Sequence, residues 1–200
     1  MAEIDLGANY IHICVDVQNV FAKDTEWQAP WLVRVLPAIE AISERYSDRT
    51  IFTRFIPPRT PEEASGAWQA YYQRWRNMTR DRLASDLLDL VPALQRLVPP
   101  ARIVDKRIYS PWLGTGLHHT LRNAGIDTIV VSGGETDVCV LATVMGAIDL
   151  GYRVILPVDA VFGSADETHD AVISLYTSRF GQQLASCSTQ DLLDQRVALT

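Results

Sequence analysis

Apolar runs rich in β-branched residues recur along the chain at 10–15, 50–55, 101–106, 128–131, 153–156 and 183–187. Each is short enough for a strand and too continuously apolar to face water on one side, which predicts strands buried within a sheet. Between them lie segments with helical spacing of apolar positions, at 31–46, 115–124, 137–150 and 168–179. Strand and helix alternate almost throughout. Parallel neighbours need long crossovers and helices supply them, so the predicted class is α/β, with a mainly parallel sheet covered on both faces in three α/β/α layers.

The longest departure from this alternation is the stretch 57–100, which holds PPRTPEE, an aromatic segment and DLLDLVPALQRL, a helical pattern. Within it Trp68, Tyr71, Tyr72 and Trp75 fall at i, i+3, i+4 and i+7, one wide aromatic face of a helix. Such stripes usually bury, so core or subunit packing is expected ahead of a substrate lid.

Composition narrows the picture. With 200 residues, 48% of them hydrophobic and 21% charged, the chain can bury a full core, and one domain over 1–200 is expected. A formal charge of −6 and the lack of a basic stripe argue against a nucleic-acid partner and for a small-molecule substrate. The three cysteines, Cys14, Cys139 and Cys187, make neither a disulfide ladder nor a CxxC pair, which suits a reducing, cytoplasmic setting. The opening MAEIDLGANY has no basic region, and no apolar run reaches membrane-spanning length, so no targeting and no membrane role are expected.

In parallel sheets ligands bind beyond the carboxyl ends of the strands, so the polar residues that end strands carry the functional argument. The first strand runs into CVDVQNVF and delivers Asp16, with Gln18 just beyond, at that edge. The third ends ARIVDK, bringing Lys106 to the same edge with Tyr109, Pro111 and Trp112 behind it. The fourth leads into VVSGGETDVCVLATVMGAIDLG, where Gly133 and Gly134 allow a tight turn and Thr136 is placed to cap the following helix. Cys139 then falls in that helix's first turn, where free N–H groups, the helix dipole and a nearby lysine are expected to lower the thiol pKa. Taken singly, each has a plain structural reading: a turn aspartate, a solvated lysine, an inert buried cysteine. Cys14 and Cys187 are expected to be inert in that way. Nucleophile, acid and cation at one edge form the pattern of covalent catalysis.

The same residues resemble the isochorismatase-like hydrolases, a family that includes nicotinamidases and carbamoylsarcosine amidase. The landmarks are D-x-Q at Asp16 and Gln18, K-x-x-Y-S from Lys106 to Ser110, and G-x-x-T-D-x-C from Gly133 to Cys139. The resemblance spans nearly the whole chain and implies a Rossmann-like fold with a six-stranded, mainly parallel sheet. It further implies a triad of Asp16, Lys106 and Cys139, a cis peptide between Gly134 and Glu135, and an oxyanion hole from the N–H groups of Glu135 and Cys139. The chemistry it implies is attack of Cys139 on an amide, ureido or carbamoyl carbon through an acyl-enzyme, with Asp16 carrying protons. A homodimer or larger homo-oligomer is also implied, and no cofactor. Strand-end placement and aromatic character nominate Gln18, Phe21, Tyr109, Trp112 and Phe162 as substrate contacts.

Departures from the family pattern matter as well. Nicotinamidases carry Asp-x-His and a further histidine after the second strand to hold a divalent metal, but here that region reads TRFIPPRTPEEASGAW. His12, His118, His119 and His169 do not repair such a site, so no metal is expected. Vinyl-ether-cleaving isochorismatases usually lack the cysteine, so Cys139 favours C–N chemistry without closing the other route. Glu135 stands where relatives often have a small apolar residue. A non-catalytic assembly member of the fold stays open as an alternative, since structural charge networks also gather at strand ends. The GTG at Gly114–Gly116 lacks the strand-turn-helix setting of a dinucleotide loop, and Cys139 has no resolving cysteine close in sequence for a redox role.

Overall fold

A computed structural model describes residues 2–4, 6–194 and 197–199; positions 1, 5, 195, 196 and 200 of the span read as one domain lie outside the described residues. The strands are β1 (Ala2–Ile4), β2 (Tyr10–Val15), β3 (Thr50–Phe55), β4 (Arg102–Lys106), β5 (Thr128–Gly134), β6 (Arg153–Pro157), β7 (Val161–Phe162), β8 (Leu184–Cys187) and β9 (Val197–Leu199). The α-helices are α1 (Asn19–Ala22), α2 (Trp31–Arg45), α3 (Ala67–Arg74), α4 (Pro92–Gln95), α5 (Leu117–Asn123), α6 (Leu141–Asp149), α7 (Asp166–Arg179) and α8 (Thr189–Leu193).

The main sheet has the order β4-β3-β2-β5-β6-β8, with the short β7 beside β5, and its pairings are parallel. All six strands expected from the apolar runs are present; β7 makes a seventh, too short to register as a run. The two-stranded antiparallel pair β1–β9 was not expected. Strand periodicity divides the core between the two faces. On one, Cys14, Phe52, Val130 and Ile155 pack against Leu32, Ile39 and Ile42 of α2. On the other, Ile13, Val15, Ile51, Val131 and Leu156 pack against Leu121, Val144 and Tyr176 of α5, α6 and α7. Each such aliphatic side chain stabilises by about 1.5–3 kcal/mol when fully buried.

Two expected helices take another form. DLLDLVPALQRL breaks into a 3₁₀ turn (Ser85–Leu88), a bridge from Leu90 to Gln18, and the four-residue α4. Pro92 has no N–H and pushes Val91 out of helical backbone, so the pattern cannot run through as one helix. The segment expected as one helix over 137–150 starts with a π-helical turn, Thr136–Val140, before α6. Thr136 does not cap it: Glu135 is the N-cap, and the Thr136 hydroxyl hydrogen-bonds His169 Nδ1 at 2.8 Å instead. His169 thereby ties α7 to this turn, and its ring lies 5.2 Å from that of Trp31.

Candidate active site

Three strand ends bring the charged residues together. Val15 is in register with Gly133, and Phe55 with Lys106, so β2, β3, β4 and β5 finish at a common edge. Gly133 has φ +101°, and a Cβ there would sit 2.1 Å from the carbonyl oxygen of Val15; only glycine lets β5 pass so close to the end of β2. Asp16, the next residue after β2, has φ 51°, a left-handed conformation that aspartate tolerates better than most and that costs on the order of 1–3 kcal/mol. Three hydrogen bonds join it to Thr53 of β3: Asp16 N–H donates to the Thr53 carbonyl and to Thr53 Oγ1, each at 3.2 Å, and Thr53 Oγ1–H donates to Asp16 Oδ1 at 2.6 Å.

Lys106 starts two strands away from Asp16, on the order of 10 Å at ordinary strand spacing, and its long stem crosses the end of β3. Its ammonium lies 5.0 Å above the Phe55 ring, 2.6 Å from Asp16 Oδ2, 3.3 Å from Cys139 Sγ and 3.2 Å from the Ile108 carbonyl. The side chains of Lys106 and Asp16 have no solvent exposure. Burial alone would lower the lysine pKa, but the charge and hydrogen bond of Asp16 outweigh it and hold the ammonium above its usual value.

The thiol departs from expectation. Burial, then the Asp16 carboxylate, push the Cys139 thiol well above its ordinary value, and Lys106 pulls the other way without prevailing. The expected thiolate stabilised by helix start and lysine is therefore corrected to a protonated thiol at rest, because desolvation of an anion in a closed site exceeds the gain from a cation already paired with Asp16. The Gly134–Glu135 peptide is cis.

Cys139 opens onto a cavity of about 300 Å³ at the sheet edge. Of the residues nominated as substrate contacts, Phe21 and Tyr109 line it. Gln18, Trp112 and Phe162 do not. Gln18 is fully buried and braces loops, accepting from Phe55 N–H at 2.7 Å and donating to the Phe55 and Leu88 carbonyls at 3.2 and 2.8 Å. Trp112 packs against α6, its ring where a Cβ on Gly146 would be, and donates to the Thr143 carbonyl at 2.8 Å. Phe162 is fully buried against Gly134. These three corrections share a cause: strand-end placement does not say to which side of the edge a side chain turns.

Sequence reasoning missed other walls. Tyr71 and Trp75 from the aromatic stripe line the cavity, whereas Tyr72 is core, so the stripe serves both packing and the site. Phe55 also lines it and was legible by the strand-end rule that found Asp16. Trp27 and Ser164 sit in irregular segments without periodic signal. Glu135 lines the cavity half-buried; burial raises its pKa, Ser164 opposes this by hydrogen bonding, and the charge of Asp137 adds to it. Among the described residues, no group of three or more His, Cys, Asp or Glu is placed to hold a metal ion, and no helix is long and apolar enough to cross a membrane.

The parallel α/β sheet carries a cavity over its carboxyl edge, lined by the Cys139 thiol, with the Lys106 ammonium and the Asp16 carboxylate buried behind it. The isochorismatase domain model matches residues 10–188, and the chain belongs to that family. It is 38% identical over 92 residues to the uncharacterised isochorismatase family protein YwoC of Bacillus subtilis, a match taking in 46% of this chain and 47% of that protein. The chain thus spans about half the length of that curated relative. A longer match, 26% identical over 162 residues, covers 80% of this chain and 77% of nicotinamidase 3 of Arabidopsis thaliana. A solved cysteine hydrolase from Pseudomonas syringae pv. phaseolicola 1448A shares the fold with TM-score 0.78 at 21% identity, covering 98% of this chain and 95% of that one.

Proposed function

We propose that this hydrolase cleaves a C–N bond of a small amide, ureido or carbamoyl compound through an acyl-enzyme on Cys139. The observation that carries the reading is the meeting of Lys106 with Asp16 at 2.6 Å and with Cys139 Sγ at 3.3 Å, where Cys139 opens onto a cavity. A thiol that rests protonated needs a base at the moment of attack, and Asp16 is the carboxylate beside it. Asp16 takes the thiol proton as sulfur bonds to the carbonyl carbon, then passes it to the departing nitrogen as the C–N bond breaks. Water, losing a proton to Asp16, next attacks the thioester carbon; the C–S bond breaks, the acid leaves, and Asp16 returns the proton to sulfur. Lys106 holds the carboxylate in place and offsets the negative charge that develops. The N–H groups of Glu135 and Cys139 are the candidates for binding the oxyanion, a contribution worth roughly 3–4 kcal/mol per donor. Its longer match to a protein called a nicotinamidase supports amide chemistry.

Ammonia release from a panel of small amides, ureido acids and carbamoyl compounds tests this, with wild type beside Cys139→Ala and chelator in one arm. Turnover that resists chelator and is lost in the variant is expected. Activity surviving the substitution removes Cys139 as nucleophile.

A further inference from the structure

The walls and the charges of the cavity point to one substrate feature. Six lining side chains are aromatic: Phe21, Trp27, Phe55, Tyr71, Trp75 and Tyr109. Trp27 is their hub, with ring centroids 6.3 Å from Phe21, 5.8 Å from Phe55, 6.2 Å from Tyr71 and 6.5 Å from Trp75. The lining also holds two carboxyl groups, Glu26 and Glu135, and no Lys, Arg or His among its described residues.

Among the described residues, neither carboxyl group is in an ion pair. Glu26 is exposed and accepts a bond from a neutral donor, Asn77 Nδ2, at 2.6 Å. Glu135 is bonded by Ser164, and Asp137 behind it carries an Oδ1 that is buried with no hydrogen-bond partner among the described residues. The Lys106 ammonium below the floor is already held by Asp16. An anionic substrate would therefore meet like charge, and a purely apolar one would strip water from carboxylates without replacing it.

Aromatic faces carry negative potential and attract a cation within about 6 Å of the ring centre. Two of these rings already do so with the protein's own cations: Lys106 lies over Phe55, and Arg74, which does not line the cavity, has its guanidinium carbon 5.3 Å from the Trp75 centroid. We propose that the cavity selects substrates bearing a positive charge, an ammonium or quaternary ammonium group, on the acyl portion of the amide, seated among the aromatic faces with Glu26 and Glu135 as counter-charges. The proposal rests on the amide-hydrolase reading, and the reaction is R–CO–NH₂ plus water giving R–COOH and ammonia, with the cation in R.

The test pairs molecules of one shape that differ in charge: trimethylammonioacetamide with 3,3-dimethylbutanamide, and 4-(trimethylammonio)butanamide with 5,5-dimethylhexanamide. Binding is read by calorimetry on Cys139→Ala, so the preference is measured without any turnover. At least one cation is expected to bind about tenfold or more tightly than its neutral partner, and Glu26→Gln, a surface change, and Trp75→Leu are each expected to narrow that ratio severalfold. Equal affinities, tighter binding of the neutral member, no binding of either cation, or a ratio unmoved by both substitutions overturns the proposal. Ammonia release by the wild type from the same four amides judges the parent reading separately: turnover without charge preference leaves amide hydrolysis standing and removes the cation site.

Discussion

Two polar clusters are buried in the same sheet, and they handle burial in opposite ways. In the middle of β2, His12 is wholly enclosed, bonded through Nδ1 to Thr50 Oγ1 at 3.0 Å and through Nε2 to Ser132 Oγ at 2.8 Å. Its partners are neutral hydroxyls from the two flanking strands, and desolvation drives its pKa down to about 3. At the carboxyl edge Lys106 is just as enclosed, but a carboxylate 2.6 Å away keeps it charged. A base buried among hydroxyls gives up its proton and becomes part of the scaffold; a base buried beside an acid keeps it. That contrast separates a structural polar cluster from one that can do proton chemistry, and each of the following experiments presses on it.

The largest effect is expected at the edge. Cys139→Ala should lower kcat by about 10⁴-fold or more in the ammonia assay, while leaving urea-denaturation stability within about 1 kcal/mol, since the thiol is a small part of the core. Next comes the ion pair. Lys106→Met and Asp16→Asn should each destabilise by about 3–5 kcal/mol in urea titrations, because each leaves an unpaired charge or carbonyl in the dry edge. The double variant should cost clearly less than the sum; additive costs would mean that the two do not act as a pair.

The His12 cluster should answer to pH instead. Its folded pKa, near 3, lies below the ordinary 6.5, so the unfolded chain takes up a proton that the folded one refuses. The stability it contributes is complete above about pH 6.5 and falls by about 1.4 kcal/mol per pH unit as pH drops toward 3. His12→Asn should lose about 1–3 kcal/mol at pH 7, flatten the acid limb relative to wild type between pH 6 and 4, and leave KM unchanged. A parallel acid limb in the two proteins would show that another group carries the dependence. The smallest effect is expected at Trp112→Phe, which removes the bond to the Thr143 carbonyl for about 1 kcal/mol and leaves KM alone; a several-fold rise in KM would return Trp112 to the site.

The two clusters were not equally legible. Asp16, Lys106 and Cys139 stood out because each follows an apolar run, and parallel sheets gather such residues at one edge. The His12 cluster gave no signal: a continuously apolar strand does not tell which hydroxyls lie opposite a histidine 38 and 120 positions away. For the same reason Trp27 escaped notice as a cavity wall, Tyr71 and Trp75 were expected in packing ahead of a lid, and Gln18, Trp112 and Phe162 were nominated although they do not line the cavity. Aromatic character says that a side chain will pack, not against what.

By itself, then, the sequence determined the six strands of the main sheet, their parallel α/β arrangement, and which three chemical groups end at the sheet's edge, because these follow from short-range periodicity and from the rule that crossovers return every strand in the same direction. Only the tertiary structure decided the π-helical turn beneath Cys139, the protonated state of its thiol and the aromatic, acidic cavity above it. Those depend on the distances between groups far apart in the chain and on how much water is left between them, and both are set when the strands and loops pack together.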